Sequence, residues 1–151
     1  GLTHSEFNLA EKPVHFYQIW IFPDEKELTP TYDQKSFSPQ AWSNRLLPVA
    51  SGQGVEGTVS FHTAATIFRC AIEAGRTVTH TPEKGRRLFV YLTDGQTAVN
   101  DQVLNSKDQA RIDTSDPVTF SSQADSEFIL IDVPSCRGWG YDQNTLKGEK
   151  A

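Results

Sequence analysis

Apolar residues in this chain of 151 rarely recur at the three-to-four spacing of a helix. They come in short runs or alternate with polar residues, the period-two pattern of a strand with one buried face. VHFYQIWIF (14–22), rich in β-branched and aromatic residues, predicts a strand that Pro23 ends. PDEKELTPTYDQK (23–35) reads as a charged loop bounded by prolines, and SFSPQAWSNRLLPVA (36–50) as one short helical turn and a strand. After the glycine-rich turn SGQGVEG (51–57), strand candidates recur at short intervals. Two lie in 58–75, around 59–61 and 67–72, and one in 76–85. Residues 86–101 hold two strands about Asp94-Gly95, which predicts a hairpin. A short strand and a turn follow in 102–112, then two strands about SQADS in 117–134. Many short strands with regular turns predict an antiparallel β-sandwich or barrel. Trp20, Phe22, Phe61, Phe68, Phe89, Tyr91 and Phe128 are its expected core aromatics. Residues 135–151 have little pattern and read as a tail that docks through Trp139 and Tyr141 or stays loose.

Composition narrows this picture. A net charge of −5 with no basic run argues against direct nucleic-acid binding. No apolar run is long enough to span a bilayer. Cys70 and Cys136 lie far apart without metal spacing, and Cys70 sits in the apolar stretch IFRCAI as a buried thiol. That usage suits a reducing, cytoplasmic setting. Methionine is absent, so the chain is expected to begin partway through a longer one.

Candidate chemistry sits at the start. In GLTHSEFN, His4 and Glu6 stand two apart, so a strand would turn both to one face, where an imidazole nitrogen and a carboxylate oxygen could meet one divalent metal. Two ligands alone are too few for a catalytic ion. His15 reads as structural, and His62, after Phe61, as a strand residue that faces solvent or joins a sheet pair. SGQGVEG lacks the lysine and the strand–loop–helix setting of a phosphate loop.

Gly1, His4, Ser5, Glu6 and Asn8, then Gln18, Ile19, Trp20, Ile21 and Pro23, then Pro30, Tyr32 and Gln34 together resemble the pirin family, more narrowly its bacterial quercetinase-type members. AIEAG, the Asp94-Gly95 turn and DSEFILIDVP resemble the C-terminal cupin of that family more loosely. The resemblance implies an all-β cupin fold, a double-stranded β-helix or jelly-roll β-sandwich. Residues 1–35 would be the remnant of an N-terminal cupin with its connecting strand, 36–134 the C-terminal cupin and 135–151 the tail. It further implies that His4 and Glu6 are the last two ligands of a metal held by three histidines and one glutamate, the other two histidines lying on an H-x-H motif that this chain lacks. The metal would be Fe, Ni, Cu or Mn, the substrate a flavonol cleaved with dioxygen, and Glu6 both a ligand and the base for the flavonol proton. Asn8 would support the ligands by a hydrogen bond.

The second cupin is expected to hold no metal. In GRTVTHTPEKGRRLFVYLTDG (75–95), His80 stands near the first histidine of a cupin motif, but Pro82 takes the second position. Arg86 or Arg87 falls where a glutamate belongs, and Glu83 comes early. His80 then reads as a strand-end residue with a polar partner. By itself the chain is expected to be inactive. Two alternatives stand beside the enzyme reading: a non-catalytic cupin acting as a protein-binding, dimerisation or regulatory module, and a symmetric homodimer that supplies His4 and Glu6 twice. Residues 14–22 are expected to pack through Phe16, Ile19 and Trp20 against the second cupin or a neighbouring chain.

Overall fold

The computed structural model describes residues 3–135, so Gly1, Cys136 and the tail with Trp139 and Tyr141 lie outside the described residues. Ten strands follow one 3-10 turn at Pro39–Trp42, and there is no α-helix among the described residues. The strands are β1 (Leu47–Ser51), β2 (Val59–Ser60), β3 (Thr66–Ile72), β4 (Thr77–His80), β5 (Arg86–Asp94), β6 (Gln96–Val99), β7 (Gln102–Asn105), β8 (Gln109–Ile112), β9 (Val118–Ser122) and β10 (Ser126–Pro134). They form a six-stranded sheet in the order β2-β1-β3-β10-β5-β8 and a four-stranded sheet in the order β4-β9-β6-β7. Every pairing is antiparallel except the short β1–β2 contact.

Alternation along the strands builds the core. On β10, Ser126, Phe128, Leu130 and Asp132 are buried, and the residues between them are half-buried. On β5, Leu88, Val90 and Leu92 point the same way. Val78, Val99, Val118 and Phe120 come from the other sheet, and the two sets make one apolar cluster. Burial pushes the Cys70 thiol in this cluster up to about 12, so it is an inert packing group.

The chain crosses repeatedly from one sheet to the other, and the Asp94-Gly95 turn is where the expected hairpin fails. β5 pairs with β10 and β8, whereas β6 pairs with β7 and β9. Gly95, with φ +81°, turns the chain between the sheets. The dipeptide supplied the left-handed backbone that a sharp turn needs, but turn chemistry does not choose the next strand's partner. The two-residue hairpin lies instead at Asn100-Asp101, where Val99 pairs with Gln102. Any Cβ on Gly95 would come within 2.6 Å of Ser126 Cβ, on top of the unfavourable φ. Gly95→Ala is therefore expected to cost more than about 1 kcal/mol in urea denaturation. A neutral result would mean that this corner relaxes freely.

Residues 14–22 form no strand. Their pattern fits a strand, but no ladder partner is present among the described residues, and an apolar run without one stays irregular. The segment still touches the six-stranded sheet. Tyr17 meets Tyr91 edge-on at 5.5 Å, Thr63 Oγ1 donates to the Phe22 carbonyl at 2.6 Å, and the Asp24 amide donates to the His62 carbonyl at 2.8 Å. Phe16 and Trp20 remain exposed, Trp20 by 80%, and so does Phe22. Among the described residues the expected packing of Phe16 and Trp20 on the second barrel is thus not formed, and Ile19 is still 40% exposed. Trp20 and Phe22 are not core residues either, while Phe128 is.

Candidate functional site

Two places carry the polar chemistry. The first is the opening segment. His4 Nε2 lies 3.7 Å from Glu6 Oε1, and both side chains are open, 53% and 71% exposed. Two donors each about 2.1 Å from one ion stand at most about 4.2 Å apart, so this separation fits a shared metal. One imidazole and one carboxylate are also a donor set that suits a divalent transition ion. Among the described residues no third His, Cys, Asp or Glu joins them. His15 and His62 are exposed elsewhere, His62 in a bend rather than a strand. Asn8 is engaged locally, its Oδ1 accepting from the Ala10 amide at 3.1 Å and its Nδ2 donating to the Lys12 carbonyl at 2.9 Å. It closes a turn. Tyr32 and Gln34 bond each other at 2.8 Å.

The second place is one mouth of the sandwich, a cavity of about 380 Å³ where the ends of β3, β4, β5 and β10 meet. Period two turns Asp132 inward on the same face as Phe128 and Leu130, so a carboxylate enters an otherwise apolar interior. Such a group needs partners. His80, the last residue of β4, brings Nε2 to 2.9 Å from Asp132 Oδ2. Arg86, the first residue of β5, brings Nε to 2.7 Å from Oδ1. The remaining guanidinium nitrogens donate to the Ala64 carbonyl at 2.6 Å, to Gln53 Oε1 at 3.1 Å and to the Asp132 carbonyl at 3.0 Å. Burial raises the Asp132 carboxyl, but the hydrogen bonds from His80 and Arg86 outweigh it and hold the group below the usual carboxylate range. An ionised carboxylate only accepts, so His80 Nε2 carries its hydrogen.

His80 is thus the strand-end residue with a polar partner that the sequence suggested. The partner, Asp132, was missed. Its signal was the single acid at an inward position of FILIDV, with no charge beside it to share the cost of burial. The guanidinium of Arg86 reaches into the mouth and takes up the Asp132 carboxylate, and a cation bonded to the one inward acid does not fit a metal site.

Two facing sheets with strands that alternate between them, closed on a polar mouth, define a cupin barrel. The sequence profile of the quercetinase C-terminal cupin domain matches residues 48–133, and the chain belongs to that family. It is 27% identical over 135 residues to a quercetin 2,3-dioxygenase of Escherichia coli, covering 89% of this chain and 57% of the relative. It is 29% identical over 134 residues to a pirin-like protein of Caulobacter vibrioides, covering 88% and 58%. The crystal structure of YhhW from Escherichia coli superimposes with a TM-score of 0.71 at 24% identity, over 76% of this chain and 48% of that one. A second structure of this bacterial pirin, in complex with nickel(II), gives 0.69. At that identity the likeness is one of fold. The chain spans less than three fifths of the length of these curated relatives.

Proposed function

We propose that this chain is the C-terminal portion of a pirin-like bicupin whose full-length form is a metal-dependent flavonol dioxygenase. Residues 1–35 complete the first barrel, 36–134 form the second and 135–151 the tail. The observation that carries the reading is the 3.7 Å approach of His4 Nε2 and Glu6 Oε1, on a segment whose aromatic side chains lack cover.

His4 and Glu6 would hold the ion together with donors from outside this chain. When bound, a divalent Fe, Ni, Cu or Mn ion supplies Lewis acidity that favours an ionised flavonol and keeps it within reach of dioxygen. The chain's own residues do the rest. His4 offers the lone pair of a neutral imidazole. The Glu6 carboxylate offsets positive charge, and its free oxygen can accept the flavonol hydroxyl proton. The second barrel supports the first and supplies one wall of its surroundings. Two cysteines without a disulfide framework suit a reducing compartment, so the cytoplasm is the location that goes with this reading.

The test is metal content and flavonol turnover in protein that carries the upstream barrel. Loss of a residue that merely supports a ligand typically costs ten- to a hundredfold in metal affinity or activity, so His4→Ala and Glu6→Gln are each expected to cost more than about a hundredfold. Unchanged metal in both variants would remove this site from the reading. One further reading has its own support: Phe7, Leu9, Phe16, Trp20 and Phe22 are exposed together on the opening segment, which suits a protein-binding or dimerisation module. Sedimentation of the 151-residue chain separates the two, since a stable dimer that binds no metal favours the module.

A further inference from the structure

The mouth of the second barrel has a chemistry that its structural role does not use. Arg86 is spent on four acceptors, and both oxygens of Asp132 are taken. Gln53 Oε1 already accepts from Thr66 at 2.9 Å and from Arg86. What stays open is His80 Nδ1, which has no partner among the described residues and belongs to a ring that lines the cavity. The ring packs tilted against Phe68 with centroids 5.3 Å apart. Pro48 and Val55 add apolar wall, and Glu83 stands at the rim.

Charge and shape narrow the ligand. One cation, Arg86, faces two carboxylates, Asp132 and Glu83, so with a neutral imidazole the mouth carries an excess of negative charge. A free anion is repelled. A cavity of about 380 Å³ lies within the range of small-molecule sites, at its lower end. Apolar walls beside one open acceptor suit a ring that carries a hydroxyl. An ammonium ion would exchange its water for one exposed carboxylate and gain less.

We propose that this mouth is a second ligand site, for a neutral single-ring phenol whose hydroxyl donates to His80 Nδ1. An ordinary phenol, at about 10 against about 6.5 for an imidazolium, keeps its proton in that hydrogen bond; a more acidic one gives it to the nitrogen, the O–H bond breaking and an N–H bond forming with no change in overall charge. Asp132 Oδ2 then holds the imidazolium from its far side, 2.9 Å from Nε2. The charged groups facing the ring are Asp132 on β10, Arg86 on β5 and Glu83 in the loop between β4 and β5. The site lies in the barrel whose residues do not fit a metal and does not depend on the flavonol reading.

Para-nitrophenol tests it, because its visible band belongs to the ionised form. The experiment uses the 151-residue chain carrying His4→Ala, with a chelator present, so the opening segment contributes nothing. At a pH where the free phenol is protonated, binding is expected to raise the phenolate band. His80→Gln keeps a hydrogen bond to Asp132 but takes up no proton, and it is expected to abolish the band and weaken binding at least about tenfold. Val55→Trp fills the mouth from a partly exposed position and is expected to abolish binding while the His80–Asp132 pair stays intact. No binding to the unfilled site would overturn the proposal. So would an undiminished band in His80→Gln, or tighter binding of benzylamine than of the phenol.

Discussion

Asp132→Ala is expected to destabilise the domain by about 3–5 kcal/mol, because it strands a buried cation. Arg86 enters the interior only with the carboxylate to meet it, and both side chains are about nine-tenths shielded from water. With Asp132 gone, the guanidinium keeps the carbonyls of Ala64 and residue 132 and the Gln53 amide oxygen but no carboxylate bonded to it. The double variant Arg86→Met with Asp132→Leu is expected to recover most of the loss, since replacing a whole buried pair by apolar groups is often neutral. Urea midpoints of the three proteins check this. A double variant as weak as the single one would put the loss in packing rather than charge. Acid gives an independent reading. The folded-state carboxyl titrates lower than the unfolded one, so its contribution is fully present above the usual aspartate value of about 3.9. It is lost as pH falls through the lowered folded value, because protonation then favours the unfolded chain. Stability of the native sequence should therefore fall in that acidic window, and Asp132→Asn should flatten the fall. An unchanged acid limb in Asp132→Asn would show that other carboxylates govern acid unfolding.

Phe120→Ala is expected to cost a similar amount, about 3–5 kcal/mol, by a different route. Phe120 comes from β9 in the four-stranded sheet and Phe128 from β10 in the six-stranded one. Both are fully buried, and their rings stack at 4.6 Å with 20° between planes. Truncation leaves a void between two sheets that no single backbone shift can close. The melting temperature should fall by more than about 10 °C for a domain of this size. Val103→Ala, on the exposed side of β7, should stay within about 0.5 kcal/mol of the parent. A Phe120→Ala loss below about 1 kcal/mol would mean that the two sheets close on the gap.

The strands of residues 47–134 were legible because period two and turn residues are local signals. β3, β5 and β10 lie close to where the pattern put them. What the pattern could not show was pairing. Asp94-Gly95 announces a reversal, and a reversal in a two-sheet fold can lead to either sheet. The competition among β6, β8 and β10 for the edges of β5 is settled by the whole core, not by two residues. The segment 14–22 shows the opposite limit. Its strand pattern is plain, but a strand exists only with a partner, and none is present among the described residues. In the candidate sites, His80 was visible as a histidine out of place in a degenerate motif. Asp132 was hidden because an acid near a strand end usually faces solvent. Period two from Phe128 and Leu130 carries it inward, and the register with β3 sets it opposite Thr66, which is also buried.

The place of β10 has a consequence for how the protein is made. It lies between β3 and β5, yet it is the last of the ten strands to leave the ribosome. Until Ser126–Pro134 emerges, β3 and β5 each present an unpaired edge, and the inward faces of both lack a neighbour. Such edges recruit other chains. A message cut short before residue 126 would yield two central strands with nothing to join them. The protein's greatest exposure to aggregation therefore falls within its own synthesis, and a single nine-residue strand ends it.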